Sequence, residues 1–397
     1  MTYRRTRGAC YLGMISQAGV NNLSPLLFTT FQRQFGLDGE ELALLISLNF
    51  GIQLLTDLAA VRFADRFGYR TVAVSAGGFC AAGLSSLGIL PFVFEEPYIG
   101  LIGAVSINAI GGGLLEVIVS PIIEALPVEN KGPGLSLLHS FYCWGVVSVV
   151  IFSTGYFSFI GLEHWRFLPF LWAAVPLGSL LLFLGAPLRS LTETPGTQMP
   201  LRVLAVRREF PLFFLMMLCA GAAEQAMGQW ASFFAETGLG LSKTLGDLLG
   251  PCIFAVLMGL SRVYFGLRNG NLPLENVLLG SAGLCFGGYL IAAISPDPLV
   301  SLMGCGLCGF SVGIMWPGIF TLAARVFPFG GTGMFGVLAL AGDGGCGLGP
   351  GLVGFAMQSL PLKAGLFTGA IFPFLLGGGI LLLKRRKVCR KKKRTAR

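Results

Sequence analysis

Residues 111–127, GGGLLEVIVSPIIEALP, form an apolar stretch with one carboxylate, Glu116, near its middle. A helix needs about 20 apolar residues to cross roughly 30 Å of hydrocarbon, and the apolar run that ends here begins near residue 98. The stretch therefore reads as the end of a membrane-spanning helix that carries an acid inside the bilayer. Such an acid is costly, by about 2.5 to 3.5 kcal/mol on insertion scales, which makes it a functional residue by default.

The rest of the chain has the same character. It is 54% hydrophobic and only 12% charged, with a mean hydropathy of +0.75, which excludes a soluble globular domain. Most of the 58 glycines lie within apolar stretches, where small residues let helices approach in lipid. The ten cysteines lie mostly in such stretches as well, so Cys305 and Cys308 read as helix packing despite their CxxC spacing. The basic start MTYRRTRG precedes an apolar segment too long for a signal peptide, which is read as a retained first span.

Twelve spans are expected, with cores near 9–31, 42–61, 71–94, 98–126, 134–160, 167–185, 210–236, 244–266, 275–295, 299–327, 332–358 and 364–383. With both termini placed inside, 24 of the 28 Lys and Arg residues fall on the cytoplasmic side, Arg262 among them in the eighth-to-ninth connection. Only Arg33, Arg166, Lys243 and Lys363 fall outside. The chain divides into an N-terminal six-helix bundle (1–186), a cytoplasmic linker (187–209), a C-terminal six-helix bundle (210–383) and a basic cytoplasmic tail (384–397). The tail, KRRKVCRKKKRTAR, reads as a topological anchor against anionic lipid, not as a nucleic-acid binder. A shift of about 199 to 202 residues lays Arg62 on Arg262, Glu116 on Met315, Gly134 on Gly333 and Gly145 on Gly344, as expected of repeated halves.

Residues 61–70, VRFADRFGYR, resemble the GxxxDRxGRR loop of the major facilitator superfamily through Asp65, Arg66, Gly68 and Arg70. The resemblance implies an all-α integral membrane fold of two pseudo-symmetric six-helix bundles, with these four residues at a cytoplasmic gate. The fourth and fifth spans resemble the fucose-permease branch, through Glu116 and LSLLHSFYCWG (135–145) with His139 and Gly145. That likeness implies cation-coupled uptake of sugars. The first span departs from it, with Asn21 and Asn22 where the branch has an acid. Drug antiporters of the superfamily carry an Arg in the fourth span and a GP in the fifth; here Asn108 stands near the first position, and Gly349-Pro350 lies in the eleventh span.

Five acids qualify as intramembrane groups, at different depths: Asp57, Glu116, Glu224, Asp247 and Asp343. Essentially no basic residue accompanies them, and a carboxyl group desolvated without a cation favours its neutral form. Glu116, Asp343 and Glu224 are the proton-coupling candidates. Asn108, Gly112, Glu116 and Ser120 recur every four residues and form one stripe, while Gln17, Asn21, Ser24 and Phe28 share a face of the first span. Amides suit either sugar hydroxyls or interhelical bonds. The substrate-binding candidates are Gln17, Asn21, Asn22, Asn108, His139, Tyr142, Gln225, Gln229 and Trp316. Pro317, after Trp316, is expected to break the tenth helix. GDGGCG (342–347) fits GxGxxG but lies in a membrane segment with no strand before it, so it reads as helix packing at Gly345 and Gly349.

No nucleophile with a base and no metal-ligand set appears, so no enzyme, cofactor or metal is expected. The expected function is a monomeric secondary transporter in the cytoplasmic membrane, moving a small polar solute with a coupling cation, H+ favoured. A proton-coupled drug or metabolite exporter and a lipid or amphiphile translocator remain as alternatives. The shortage of intramembrane cations argues against an anionic headgroup.

Overall fold

The computed structural model describes residues 3–124, 126, 131–188, 201–268, 273–327 and 330–395, without side chains at 61–66, 124, 131–136, 201, 266–268, 331–333 and 387–395. Every regular element among them is helical. The first group comprises α1 (Arg4–Leu26), α2 (Phe28–Phe35), α3 (Gly39–Phe67), α4 (Tyr69–Leu87), α5 (Pro97–Glu124), α6 (Lys131–Ile160) and α7 (Leu168–Leu184). After the short α8 (Leu201–Ala205) come α9 (Phe210–Gly228), α10 (Ala231–Phe233), α11 (Lys243–Asp247), α12 (Ile253–Arg268), α13 (Leu274–Ile294), α14 (Pro298–Val326), α15 (Gly331–Ser359), α16 (Leu362–Phe367) and α17 (Ile371–Thr395).

Eleven helical segments among the described residues are long and apolar enough to cross a membrane. The remaining expected span, the first, is helical too, as α1 followed by α2, but Arg4, Arg5, Arg7 and its amides make it more polar than the rest. In the first group α1 packs on α5, α6 and α7, α3 on α5, and α4 on α5 and α7. In the second, α9 packs on α14, α15 and α17, α12 on α14, and α13 on α14 and α17. The two groups meet where α3 lies on α15 and α6 on α12.

Glycine sets how closely these helices pack. A Cβ at Gly345 of α15 would stand 2.0 Å from the Leu218 carbonyl oxygen of α9, and one at Gly349 would stand 2.3 Å from that of Ala222. The GxGxxG look-alike is therefore a helix-crossing surface. Cys305 and Cys308 are buried free thiols, with Cys308 Sγ 3.4 Å from the Cys285 carbonyl oxygen, in keeping with packing.

Three sequence expectations change. Pro317 does not break its helix: α14 runs unbroken through it, and the Thr321 hydroxyl donates to the Pro317 carbonyl at 2.7 Å. Arg262 does not lie in a connection: it sits inside α12 and is ion-paired there. The acids are not all without cations, because Lys243 pairs with Asp247 and Arg262 with Glu224.

Both chain ends lie at one end of the molecule. Arg5 donates to the carbonyls of Leu181 and Leu182 at 3.1 Å each, and Arg386 to that of Arg208 at 2.8 Å. Gly68, with φ of +81°, separates α3 from α4 at this end, a left-handed conformation that explains the glycine in the 61–70 motif.

Candidate functional site

The polar residues of the interior fall into four groups. The first lies where α5 meets α15. Glu116 accepts a hydrogen bond from Gln17 Nε2 of α1 at 2.6 Å, and its carboxyl is hydrogen-bonded to that of Asp343. Two carboxyl groups can bond in this way only when one of them carries a proton. Asp57 of α3 interacts electrostatically with both acids, is 4% exposed, and has no hydrogen-bond partner for either oxygen among the described residues. Room for it comes from Gly113, where a Cβ would stand 2.8 Å from Asp57 Oδ1. Helices from both halves thus bring three acids together, as Glu116 and Asp343 alone did not reveal.

The second group surrounds the seam of α1, α6, α9 and α12. Asn22 Nδ2 donates to Tyr142 Oη at 3.4 Å, and Gln229 Nε2 to Gln225 Oε1 at 2.9 Å. Asn22 and Gln229 line a small recess together with Val150, Ser232 and Pro251. Glu224, one turn before Gly228, accepts from Arg262 Nη2 at 3.1 Å. His139, exposed on α6, approaches the Ser120 hydroxyl of α5 at 3.5 Å. Trp316 lies against α15, where a Cβ at Gly342 would stand 2.3 Å from its ring.

The third group is an amide core inside the first half. Asn21 Oδ1 accepts from Asn49 at 3.0 Å and Gln53 at 2.7 Å, and with Asn108 it lines a small recess among α1, α3 and α5. Asn21 therefore makes interhelical bonds, and Asn22, on the next face, points to the seam between halves.

The fourth group joins the halves at the end away from the termini. Lys243 contacts Glu236 at 2.9 Å and Asp247 at 2.8 Å, and donates to the Leu26 carbonyl of α1. Thr29 donates to Glu236 at 3.1 Å, and Thr154 and Ser232 donate to Asp247. Glu236 and Asp247 are 7% and 0% exposed. Two π-helical turns, Phe234–Gly238 and Leu248–Cys252, flank this cluster; Pro251 in the second removes a backbone donor. Asp247 is thereby a member of an ion cluster and not a lone acid.

Of the gate residues, Arg70 donates to the Ala186 carbonyl at 2.7 Å, Gly68 makes the turn described above, and the side chains of Asp65 and Arg66 lie outside the described residues. Sequence reading missed Arg262, Lys243 and Glu236. Arg262 could be found from a single cation within IFAVLMGLSRVYFG; the repeat that lays it on Arg62 instead favours a loop. The other two stand at a span end, where composition does not separate a buried charge from an exposed one.

A sequence model described as Major Facilitator Superfamily matches residues 9–350. No curated protein gives a significant sequence match. Among solved structures, the chain is similar to a major facilitator superfamily transporter, FucP, in the outward conformation, with a TM-score of 0.66, 17% identity, and 96% of this chain and 99% of that one covered. A variant of the E. coli fucose:proton symporter FucP gives 0.67 and 17% over the same shares. A D-xylose-proton symporter gives 0.73 and 15%, with 96% of each chain covered.

Proposed function

This chain belongs to the major facilitator superfamily and is a multi-pass membrane transporter, not an enzyme; from that premise we propose that it carries a small, sugar-like polar solute in symport with protons. The two halves rock about the seam so that the site opens to one side and then the other. Glu116 and Asp343 hold the coupling proton, and Asp57 is the acid beside them. Asn22, His139, Tyr142, Gln225, Gln229 and Trp316 contact the solute, while Gln17, Asn21 and Asn108 shape the first half behind it. The protein acts as a monomer in the cytoplasmic membrane, with both termini inside and no cofactor beyond the proton.

One observation carries this reading: carboxyl groups from opposite halves are hydrogen-bonded to each other. Their bond exists only with a proton present, so protonation and the relative position of the halves become one event. One charge driven through 100 mV supplies about 2.3 kcal/mol, enough for an approximately 40-fold solute gradient.

The test is uptake by reconstituted proteoliposomes, with a panel of sugars, nucleosides and organic acids under an imposed pH gradient. Accumulation that collapses with a protonophore supports the reading. Accumulation that follows a sodium gradient and ignores pH contradicts it. Arg262 removes the sequence-based objection to an anionic ligand, since a cation does lie within the membrane segments.

A further inference from the structure

Arg262, at the seam, has hydrogen-bonding capacity that its surroundings among the described residues do not fill. It is 14% exposed, it donates to Glu224 through Nη2 and is hydrogen-bonded to the Cys143 side chain, and its Nε has no partner among the described residues. A guanidinium presents five donors in a planar fork that matches a carboxylate through two parallel bonds. Glu224 is bound instead through one nitrogen. The groups facing the pair are Tyr142, Cys143 and His139 of α6, with Cys346 of α15 near Glu224. None of these is a carboxylate. From Tyr142 the polar surface continues through Asn22 to a small recess lined by Gln229.

We propose that Arg262 receives the carboxylate of a polyhydroxylated acid, whose hydroxyls lie toward Asn22 and Gln229, and that Glu224 is the counter-ion this ligand displaces. The inference rests on the transporter reading above and names its ligand class. Charge balance supports it. Arg262 and Glu224 together are neutral, and a bound carboxylate would leave one uncompensated negative charge in a poorly solvated place, which is strongly unfavourable. A proton taken from water by Glu224 restores neutrality and releases the guanidinium to the ligand. Anion and proton therefore bind together, one of each, and the loaded cluster carries no net charge. A neutral sugar gains nothing from this arrangement, because it cannot replace Glu224 as the partner of a buried cation.

Purified full-length protein in detergent provides the test, by calorimetric titration with gluconate, glucuronate, galacturonate and glycerate beside their neutral counterparts glucitol, glucose, galactose and glycerol. At least one carboxylate is expected to bind the wild type at least tenfold more tightly than its counterpart, with uptake of about one proton read from buffers of different ionisation enthalpy. Arg262→Gln should lose that binding at least tenfold. Arg262→Lys, which keeps the charge and guards against misfolding, should retain part of it, and Glu224→Gln should bind without proton uptake. Equal binding of acid and neutral partner, no binding by any acid, or carboxylate binding unchanged in Arg262→Gln would each assign the pair to a structural clasp and overturn the proposal. Proton uptake that persists in Glu224→Gln would overturn the role of Glu224. Gradient-driven uptake fails separately: carboxylate binding without proton-driven transport contradicts the coupling at Glu116 and Asp343 alone, and proton-driven accumulation of a neutral sugar alone contradicts the anion site.

Discussion

The Glu116 carboxyl of α5 and the Asp343 carboxyl of α15 share a hydrogen bond across the two halves of the protein. An amide can take the place of a protonated carboxyl in that bond but cannot release a proton. Glu116→Gln and Asp343→Asn should each lower accumulation driven by a pH gradient at least tenfold and leave solute exchange at equal pH largely intact. Proteoliposome uptake and counterflow separate the two activities. Full accumulation in both variants would remove these acids from coupling.

At the far end, Lys243 pairs with both Glu236 and Asp247. Breaking a buried pair by removing one partner typically costs about 3–5 kcal/mol. Lys243→Ala should lower the unfolding temperature in detergent, because it leaves the two carboxyl groups without their cation. Adding Glu236→Gln and Asp247→Asn should recover much of the loss. A loss that these two replacements leave unchanged would show that Lys243 stabilises by packing alone.

Gly345 and Gly344 are neighbours with opposite surroundings. A Cβ at Gly345 meets the Leu218 carbonyl oxygen at 2.0 Å, and one at Gly344 meets nothing within 4 Å. Gly345→Ala should destabilise by about 1–3 kcal/mol through overpacking, and Gly344→Ala should be neutral or slightly stabilising. Thermal unfolding of the two variants side by side checks the α9–α15 crossing.

Asn21 and Asn22 are adjacent in sequence yet face different surroundings. Asn21→Ala strands the amide donors of Asn49 and Gln53, at about 1–3 kcal/mol, and should show first as lost stability. Asn22→Ala and Gln229→Ala should instead weaken solute binding about 2- to 10-fold, the value of a typical hydrogen bond, with little change in unfolding temperature. The reverse pattern would move the solute site into the first half.

The helical membrane architecture was legible because apolar runs and loop charges are properties of composition. The 61–70 motif led to the superfamily, and Gly68 shows why a glycine is needed in it. The first span was recognised, although its arginines and amides keep it more polar than the rest. Glu116 and Asp343 stood out as acids in apolar helices, but 227 positions separate them in sequence, and nothing local indicates that they touch. Arg262 was misplaced because a cation near a span end reads the same whether it points to water or to a buried carboxylate. Pro317 was misread because a helix in lipid tolerates proline: α14 continues through it, and one turn on the Thr321 hydroxyl donates to the Pro317 carbonyl.

The central claim is that one proton between Glu116 and Asp343 sets the position of the halves. Spin labels at Glu95 and Pro296, exposed residues one in each half, allow their separation to be followed against pH by pulsed electron spin resonance. Protein carrying both native acids should show one distance population at low pH and a second that grows as pH rises, while Glu116→Gln with Asp343→Asn should hold one population throughout. A distribution that does not change with pH when both acids are present would contradict the account.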